Sequence, residues 1–202
     1  MKIQIKHLQT KPEDEREDLS FKSISSLEQY GVTYERIINL PYNKIPPKEH
    51  CNRPENISSD NKPGELYPGA GIGYLTGGHY GCFEAHTSVL KNLSKEYDYT
   101  LVFEADAHIE IDSKKFTELI KIFCEVMEKD DVYFLSLANN LSKSKQPVHD
   151  LLCKTKDEFF THAYIIRNKD KNWWRSQFKK VGWDGYDIWL NKVFHHDPQN
   201  RY

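Results

Sequence analysis

The sequence lacks several features that assign a protein to a class at once. Its formal net charge is only −2, and no basic stripe accompanies this, so charge gives no support for nucleic-acid binding. No segment approaches the apolar length of a membrane span, and the opening residues, Met-Lys-Ile-Gln-Ile-Lys-His, lack the apolar core of a signal peptide. We therefore expect a cytoplasmic protein with no transmembrane segment and no nucleic-acid partner.

Cysteine is scarce and dispersed. The four cysteines form no Cys-x-x-Cys pair and lie far apart in sequence, at Cys51, Cys82, Cys124 and Cys153. This spacing does not indicate a disulfide framework or a zinc site, so we expect reduced and partly buried thiols. With 202 residues, the chain is long enough for one well-buried domain and short for two.

Proline and glycine are concentrated in one stretch, residues 41–78, where six of the nine prolines lie. The apolar residues of this stretch show neither helical nor strand periodicity. A loop this long inside a compact domain is either functional or disordered. Interspersed aromatic and apolar residues favour a lid or binding loop that packs in part, with a flexible insert as the alternative. We expect a single domain over residues 1–202 that carries this loop.

Hydrophobic periodicity predicts strands and helices in alternation. A strand over 2–9, a helix that begins near Pro12 and stops at Gly31, and a strand over 32–40 form a unit that implies parallel pairing with a right-handed crossover. After the loop we expect helices over 79–97 and 114–129, the second capped by Ser113, strands over 99–103, 131–137, 148–153 and 158–166, and helical segments from Asn168 and after Trp183. This predicts an α/β fold with a mostly parallel central sheet flanked by helices and a small antiparallel part.

Two carboxylates, Glu104 and Asp106, directly follow the apolar strand 99–103. Charges at the carboxyl end of a buried strand belong in a crevice open to solvent or to a cation. Residues i and i+2 of an extended chain point to the same side, so both carboxylates can converge on one Mg²⁺ or Mn²⁺ ion. The alternative is that these acids only cap the next helix.

Two motifs carry a family resemblance. His79-Tyr-Gly-Cys-Phe-Glu-Ala-His86, followed by Tyr99-Thr-Leu-Val-Phe-Glu-Ala-Asp106, resembles the Gly-Cys-x-x-Ser-His helix and the Glu-Asp-Asp strand end of the lipopolysaccharide-type glycosyltransferases of family 25. Thr161-His-Ala-Tyr-Ile-Ile166, with Asp184 and Asp187 downstream, is similar to that family's later strand and acidic helix start. The sequence departs from the pattern at Ala85 and Ala105, which replace the serine and the middle acid.

The resemblance implies a glycosyltransferase A fold and an inverting transfer of sugar from a nucleotide-diphosphate donor to a hydroxyl acceptor such as a glycan. It implies that Glu104 and Asp106 hold a divalent cation, Mn²⁺ or Mg²⁺, and the donor. The outer carboxylates of the motif are the ones expected to reach the cation, so Ala105 leaves the assignment in place. The end of the first strand, from His7 to Thr10, and Arg16 are expected to hold the nucleotide.

The resemblance also requires a general base for the acceptor hydroxyl. Either Asp184 or Asp187 can take this role, and spacing does not choose between them, because Asp184 is equally suited to cap the last helix. His86 is expected to be a packing histidine, and His195 and His196 either complete a metal site or are solvated. The tryptophans are expected either to stack on an acceptor sugar or to pack in the core; they are Trp173, Trp174, Trp183 and Trp189.

Two other functions compete with transfer. A sugar- or nucleotide-binding module that has lost turnover fits the change at Ala105. A metal-dependent phosphohydrolase also uses paired acids, but it needs a richer cluster of histidines and acids than the sequence motifs reveal.

Overall fold

The computed structural model describes residues 1–9, 15–38, 44–60, 74–137, 145–149, 152–155 and 162–197. Thr10, most of the glycines of the 41–78 stretch and the carboxyl-terminal tail lie outside these residues. Among the described helices, none combines the length and the hydropathy that a bilayer-spanning segment requires.

A five-stranded sheet forms the centre of the described structure. Its strands are β1 (Ile3–Gln9), β2 (Thr33–Ile38), β3 (Tyr99–Phe103), β4 (Phe134–Ser136) and β7 (Ala163–Arg167). Their order across the sheet is β2-β1-β3-β7-β4. Every residue of β3 is buried, as its apolar composition predicts for a strand that is covered on both faces.

The sheet is mixed, with two parallel and two antiparallel pairs among its described strands, so the mostly parallel sheet that the sequence predicted is not shown. Strand β1 pairs in parallel with β2 and with β3, whereas β7 pairs antiparallel with both β3 and β4. The segment assigned to a separate antiparallel part, 158–166, therefore supplies a strand of the central sheet. A separate antiparallel hairpin does exist, formed by β5 (Lys145–His149) and β6 (Leu152–Thr155).

Helices cover both faces of the sheet. They are α1 (Glu15–Ser25), α2 (Gly77–Lys91), α3 (Ser113–Lys129), α4 (Lys171–Gln177) and α5 (Tyr186–His195). A 3₁₀ segment extends α1 to Tyr30, and Gly31 then ends it in the left-handed conformation, with φ 81°. The cap of α3 is Asp112, not Ser113, because its carboxylate accepts the backbone N–H of Lys115 at 3.0 Å.

Two apolar cores lie on opposite faces of the sheet. One contains side chains of α2, α4 and α5, and the other contains side chains of α3 and of the segment that starts with α1. Trp174, Trp183 and Trp189 are at most 4 % exposed and belong to the first core. Of the two uses that the sequence left open for these three tryptophans, the structure therefore shows packing in the core.

The described part of the 41–78 stretch packs against the segment that precedes α5. The backbone N–H of Trp183 donates to the carbonyl of His50 at 2.7 Å, and that of Asn52 donates to the carbonyl of Trp183 at 2.9 Å. A Cβ at Gly182 would lie 2.4 Å from the His50 carbonyl oxygen, so only glycine fits this close approach. The stretch is thus anchored in part, and its last two residues, Gly77 and Gly78, open α2.

Candidate functional site

The acids predicted from the sequence lie at one edge of the sheet. Glu104 follows the last residue of β3, and its backbone N–H donates to the carbonyl of His162 at 2.8 Å. Because β7 runs antiparallel to β3, the residue just before β7 meets the residue just after β3. His162 is thereby brought to the carboxyl edge of the sheet, where binding sites of open α/β sheets form.

Glu104, Asp106 and His162 form a compact cluster. The Nδ1 atom of His162 lies 3.1 Å from Oε2 of Glu104 and 3.5 Å from Oδ1 of Asp106. One ligand atom from each of the three residues lies within 4.8 Å of the others. The side chain of Asp106 is 58 % exposed and that of Glu104 is 23 % exposed, so the cluster opens to solvent on the Asp106 side.

A second histidine holds Glu104 from the interior. His86 in α2 is 1 % exposed, and its Nε2 atom lies 3.0 Å from Oε1 of Glu104. Its Nδ1 atom lies 2.8 Å from the hydroxyl of Tyr164, and its ring stacks on Tyr186 at a centroid distance of 4.1 Å. His86 is therefore packed, as expected from the sequence, but it also orients the carboxylate of the candidate site.

The two histidines keep Glu104 ionised. Burial alone raises the pKa of this carboxyl group, but the hydrogen bonds from His162 and His86 outweigh burial and hold the pKa well below its usual range. The same hydrogen bond from His162 to Glu104 raises the pKa of His162, against an opposing effect of burial. At neutral pH the cluster therefore holds an ionised carboxylate. This carboxylate is suited to face a cation, either alone or bound to phosphate.

Asp184 is fully buried and fully engaged in the fold. Its oxygens accept hydrogen bonds from the guanidinium of Arg53, from Lys192 Nζ at 3.0 Å and from the backbone N–H of Gly185 at 2.9 Å. The residue that caps α5 is Gly185. Asp184 thus fastens the anchored loop to α5, and its carboxylate is not placed to accept a proton from a substrate.

We expect Asp184→Asn to lower the free energy of unfolding by about 3 kcal/mol. Removing one member of a buried ion pair leaves the charges of its partners uncompensated. Because Arg53 and Lys192 are partly exposed, the loss of free energy should lie at the low end of the range for such pairs. Urea unfolding followed by circular dichroism measures the change. A loss below about 1 kcal/mol, the scale of a surface pair, would show that the ion pair does not fasten the loop.

Asp187 is the acid near α5 that remains available. It lies in the first turn of the helix, is partly buried and accepts the backbone N–H of Ile188 at 2.9 Å. Burial raises its pKa, the backbone hydrogen bond opposes the rise, and the negative charges of Glu104 and Asp184 add to it. Its carboxylate therefore lies within electrostatic range of the Glu104 cluster.

Of the three residues at the start of the chain that were predicted to hold a nucleotide, only His7 has a described side chain. His7 is fully buried, with Nδ1 2.8 Å from the hydroxyl of Tyr34 and Nε2 2.8 Å from Oγ of Ser20, so its ring packs the β1–α1 unit. Arg16 lies in α1, in a part where side chains are not described, and Thr10 lies outside the described residues. His195 and His196 are exposed at the end of α5 and belong to neither ligand group found in the described chain.

Sequence reasoning missed His162 as a member of the site. Its only signal is its position, a polar residue directly before the apolar strand 163–167, and this signal becomes informative once β7 is known to pair with β3.

Comparison with known proteins assigns no function. The chain matches no family model, and no curated protein is significantly similar to it. The resemblance to family 25 glycosyltransferases therefore depends on the motifs themselves and on where the fold places their residues.

Proposed function

We propose that the protein is a glycosyltransferase with a glycosyltransferase A type of fold, which moves a sugar from a nucleotide-diphosphate donor to a hydroxyl acceptor with inversion. The observation that carries this proposal is the cluster of Glu104, Asp106 and His162 at the carboxyl edge of the sheet. The lipopolysaccharide-type resemblance suggests a saccharide as the acceptor.

The donor set of this cluster fits a divalent cation of the Mn²⁺ or Mg²⁺ class. Two carboxylates and one imidazole offer ligand atoms within 4.8 Å of one another, and the exposed side of Asp106 leaves room for water and diphosphate oxygens. A cation bound there would neutralise charge on the departing diphosphate. The histidines that flank Glu104 keep its carboxylate ionised and fixed in orientation for this task.

Asp187 is the general base in this proposal. Asp184 is ion-paired with Arg53 and Lys192, which favours Asp187 over Asp184 as the base. Because burial raises the pKa of Asp187, its carboxylate is a stronger base than an exposed aspartate. As the acceptor oxygen bonds to the sugar and the bond to the diphosphate breaks, Asp187 accepts the hydroxyl proton.

A metal-dependent phosphohydrolase is the second candidate, and one observation favours it. The structure surrounds Glu104 with two histidines, His86 and His162, which is the richer cluster that such an enzyme needs. A binding module without turnover is the third candidate, consistent with Ala105.

A panel of nucleotide-sugars, assayed with and without Mn²⁺ and with saccharide acceptors, separates the three functions. A transferase releases nucleoside diphosphate from one donor and forms a glycosylated acceptor, and both products increase with Mn²⁺. A phosphohydrolase releases inorganic phosphate from phosphate esters without any acceptor. Binding of a donor without turnover under all conditions identifies the module and contradicts our proposal.

A further inference from the structure

Glu104 belongs to a second group of possible ligands, on the side away from Asp106. Cys82 and His86 lie four residues apart on α2 and therefore share one face of the helix. One ligand atom each from Cys82, His86 and Glu104 lies within 4.8 Å of the others. We propose that these three residues bind a thiophilic divalent cation, with Zn²⁺ as the preferred ion.

The three donor atoms match the chemistry of zinc. A thiolate, an imidazole nitrogen and a carboxylate oxygen are the three ligand types that Zn²⁺ takes in proteins, whereas Mg²⁺ and Mn²⁺ favour oxygen. Zinc sites that also bind water or substrate have three protein ligands and an open fourth position, and the proposed site has this arrangement. The solvent-exposed position of Cys82 provides a route by which the ion enters.

The surrounding residues hold these ligands in position. Nδ1 of His86 is 2.8 Å from the Tyr164 hydroxyl, which is 3.2 Å from the hydroxyl of Tyr186. The second oxygen of Glu104 is held by His162 at 3.1 Å. Such outer contacts fix the ring orientation and raise the affinity of ligating histidines, so the group has the support that built metal sites show.

The proton balance of His86 also permits binding. Ionised Glu104 only accepts hydrogen bonds, so in the neutral form of the ring Nε2 of His86 donates to Glu104 and Nδ1 accepts from Tyr164. Metal binding at Nε2 would place the ring proton on Nδ1, which then donates to the Tyr164 oxygen, and the thiol proton of Cys82 would be released to solvent. Tyr164 in turn donates to Tyr186, because a hydroxyl can rotate to serve as donor or acceptor.

For His86 and Glu104, insertion of the ion requires only a small movement. Metal bonds of about 2.0–2.1 Å in a tetrahedral site separate nitrogen and oxygen ligands by roughly 3.3 Å. The present distance from His86 Nε2 to Glu104 Oε1 is 3.0 Å. The two side chains therefore need to open by only a few tenths of an ångström.

Glu104 is a proposed ligand of both cations. We therefore expect Zn²⁺ and Mn²⁺ to compete for its carboxylate. Inhibition of transfer by Zn²⁺ follows only if the proposed glycosyltransferase function holds. Binding of the thiophilic ion itself does not depend on that function, and the two are tested separately.

Titration with Co²⁺ tests the site directly, because a thiolate bound to Co²⁺ gives a charge-transfer absorption in the near ultraviolet. We expect this band in the wild-type protein and in the control Cys51→Ser, which removes another partly accessible thiol. We expect no band in Cys82→Ser, whose exposed side chain predicts an unchanged melting temperature. No band in the wild type, or a band that persists in Cys82→Ser, overturns the proposal.

Calorimetric titration with Zn²⁺ separates this site from the Asp106 cluster. We expect Cys82→Ser to weaken Zn²⁺ binding by about tenfold or more, at least the loss seen when only an outer-shell partner is removed. Asp106→Asn is expected to weaken Mn²⁺ binding and to leave Zn²⁺ binding much less affected. Equal loss of Zn²⁺ affinity in both variants would assign the ion to the Asp106 cluster and contradict a separate site, whatever the outcome of the transfer assays.

Discussion

Asp106→Asn is expected to lower the rate of sugar transfer by about 10²–10³-fold, because a cation that stabilises the leaving group contributes several kcal/mol. The side chain is 58 % exposed, and its Oδ1 atom lies 3.5 Å from Nδ1 of His162. The melting temperature should therefore stay nearly unchanged. Initial rates of transfer, measured with saturating donor across a range of Mn²⁺ concentrations, give the size of the loss.

Glu110→Gln is the matched control for this variant. Glu110 is an acid of the same connection between β3 and α3, its side chain is 82 % exposed, and its Oε1 atom lies 3.3 Å from Nε2 of the exposed His108. The control removes one negative charge near the site without touching the proposed ligands, so its transfer rate should match the wild type. Equal losses in both variants would mean that general charge, and not a ligand at Asp106, supports activity. A large fall in the melting temperature of Asp106→Asn would make the residue structural.

Asp187→Asn is expected to lower the rate of transfer by about 10²–10⁴-fold, the usual contribution of a general base. An amide oxygen can still accept the backbone N–H of Ile188, so folding should be retained. In the wild type, the rate should fall as pH drops through the pKa of Asp187. Because burial raises that pKa, this fall should occur above the ordinary range of an aspartate.

Asp184→Asn provides the contrast to this variant. It is expected to lose stability through its ion pairs with Arg53 and Lys192 and to keep its rate per folded molecule when assayed well below its melting temperature. Rates and unfolding curves for both variants therefore form one experiment. If Asp184→Asn loses transfer and Asp187→Asn retains it, the assignment of the base is wrong.

Local patterns in the sequence were sufficient to predict the strand and the helix on either side of Glu104 and Asp106. The run of β-branched, aromatic and aliphatic residues over 99–103 is strand β3, with Glu104 directly after it, and the amphipathic run 114–129 is α3 apart from its cap. These predictions succeeded because a strand buried on both faces and a helix buried on one face have different patterns of apolar residues in the sequence.

Contacts between distant segments could not be predicted in this way. The pairing of β7 with β3 reverses a strand within the central sheet, and no feature of 163–167 specifies which neighbour it joins. His162 therefore became a member of the site only through the fold. The choice between Asp184 and Asp187 depended on Arg53, which lies 131 positions from Asp184 in the chain.

The sequence also left open two uses for its aromatic residues. Trp174 in α4 and Trp189 in α5 belong to the core that also contains side chains of α2. A tryptophan in a turn or helix has the same sequence signal whether it packs or binds a sugar. Burial in the folded chain was needed to decide between the two.

The most direct test of the account is a crystal structure of the protein with a nucleoside diphosphate and Mn²⁺, with the ion located by anomalous scattering. We predict an anomalous peak bonded to Asp106 or Glu104 and to the diphosphate oxygens, with Asp187 facing the same space. The opposite edge of the sheet carries a cavity of about 640 Å³ lined by Arg167 and Lys169. A diphosphate bound there, with no Mn²⁺ at Glu104 and Asp106, would contradict the central claim.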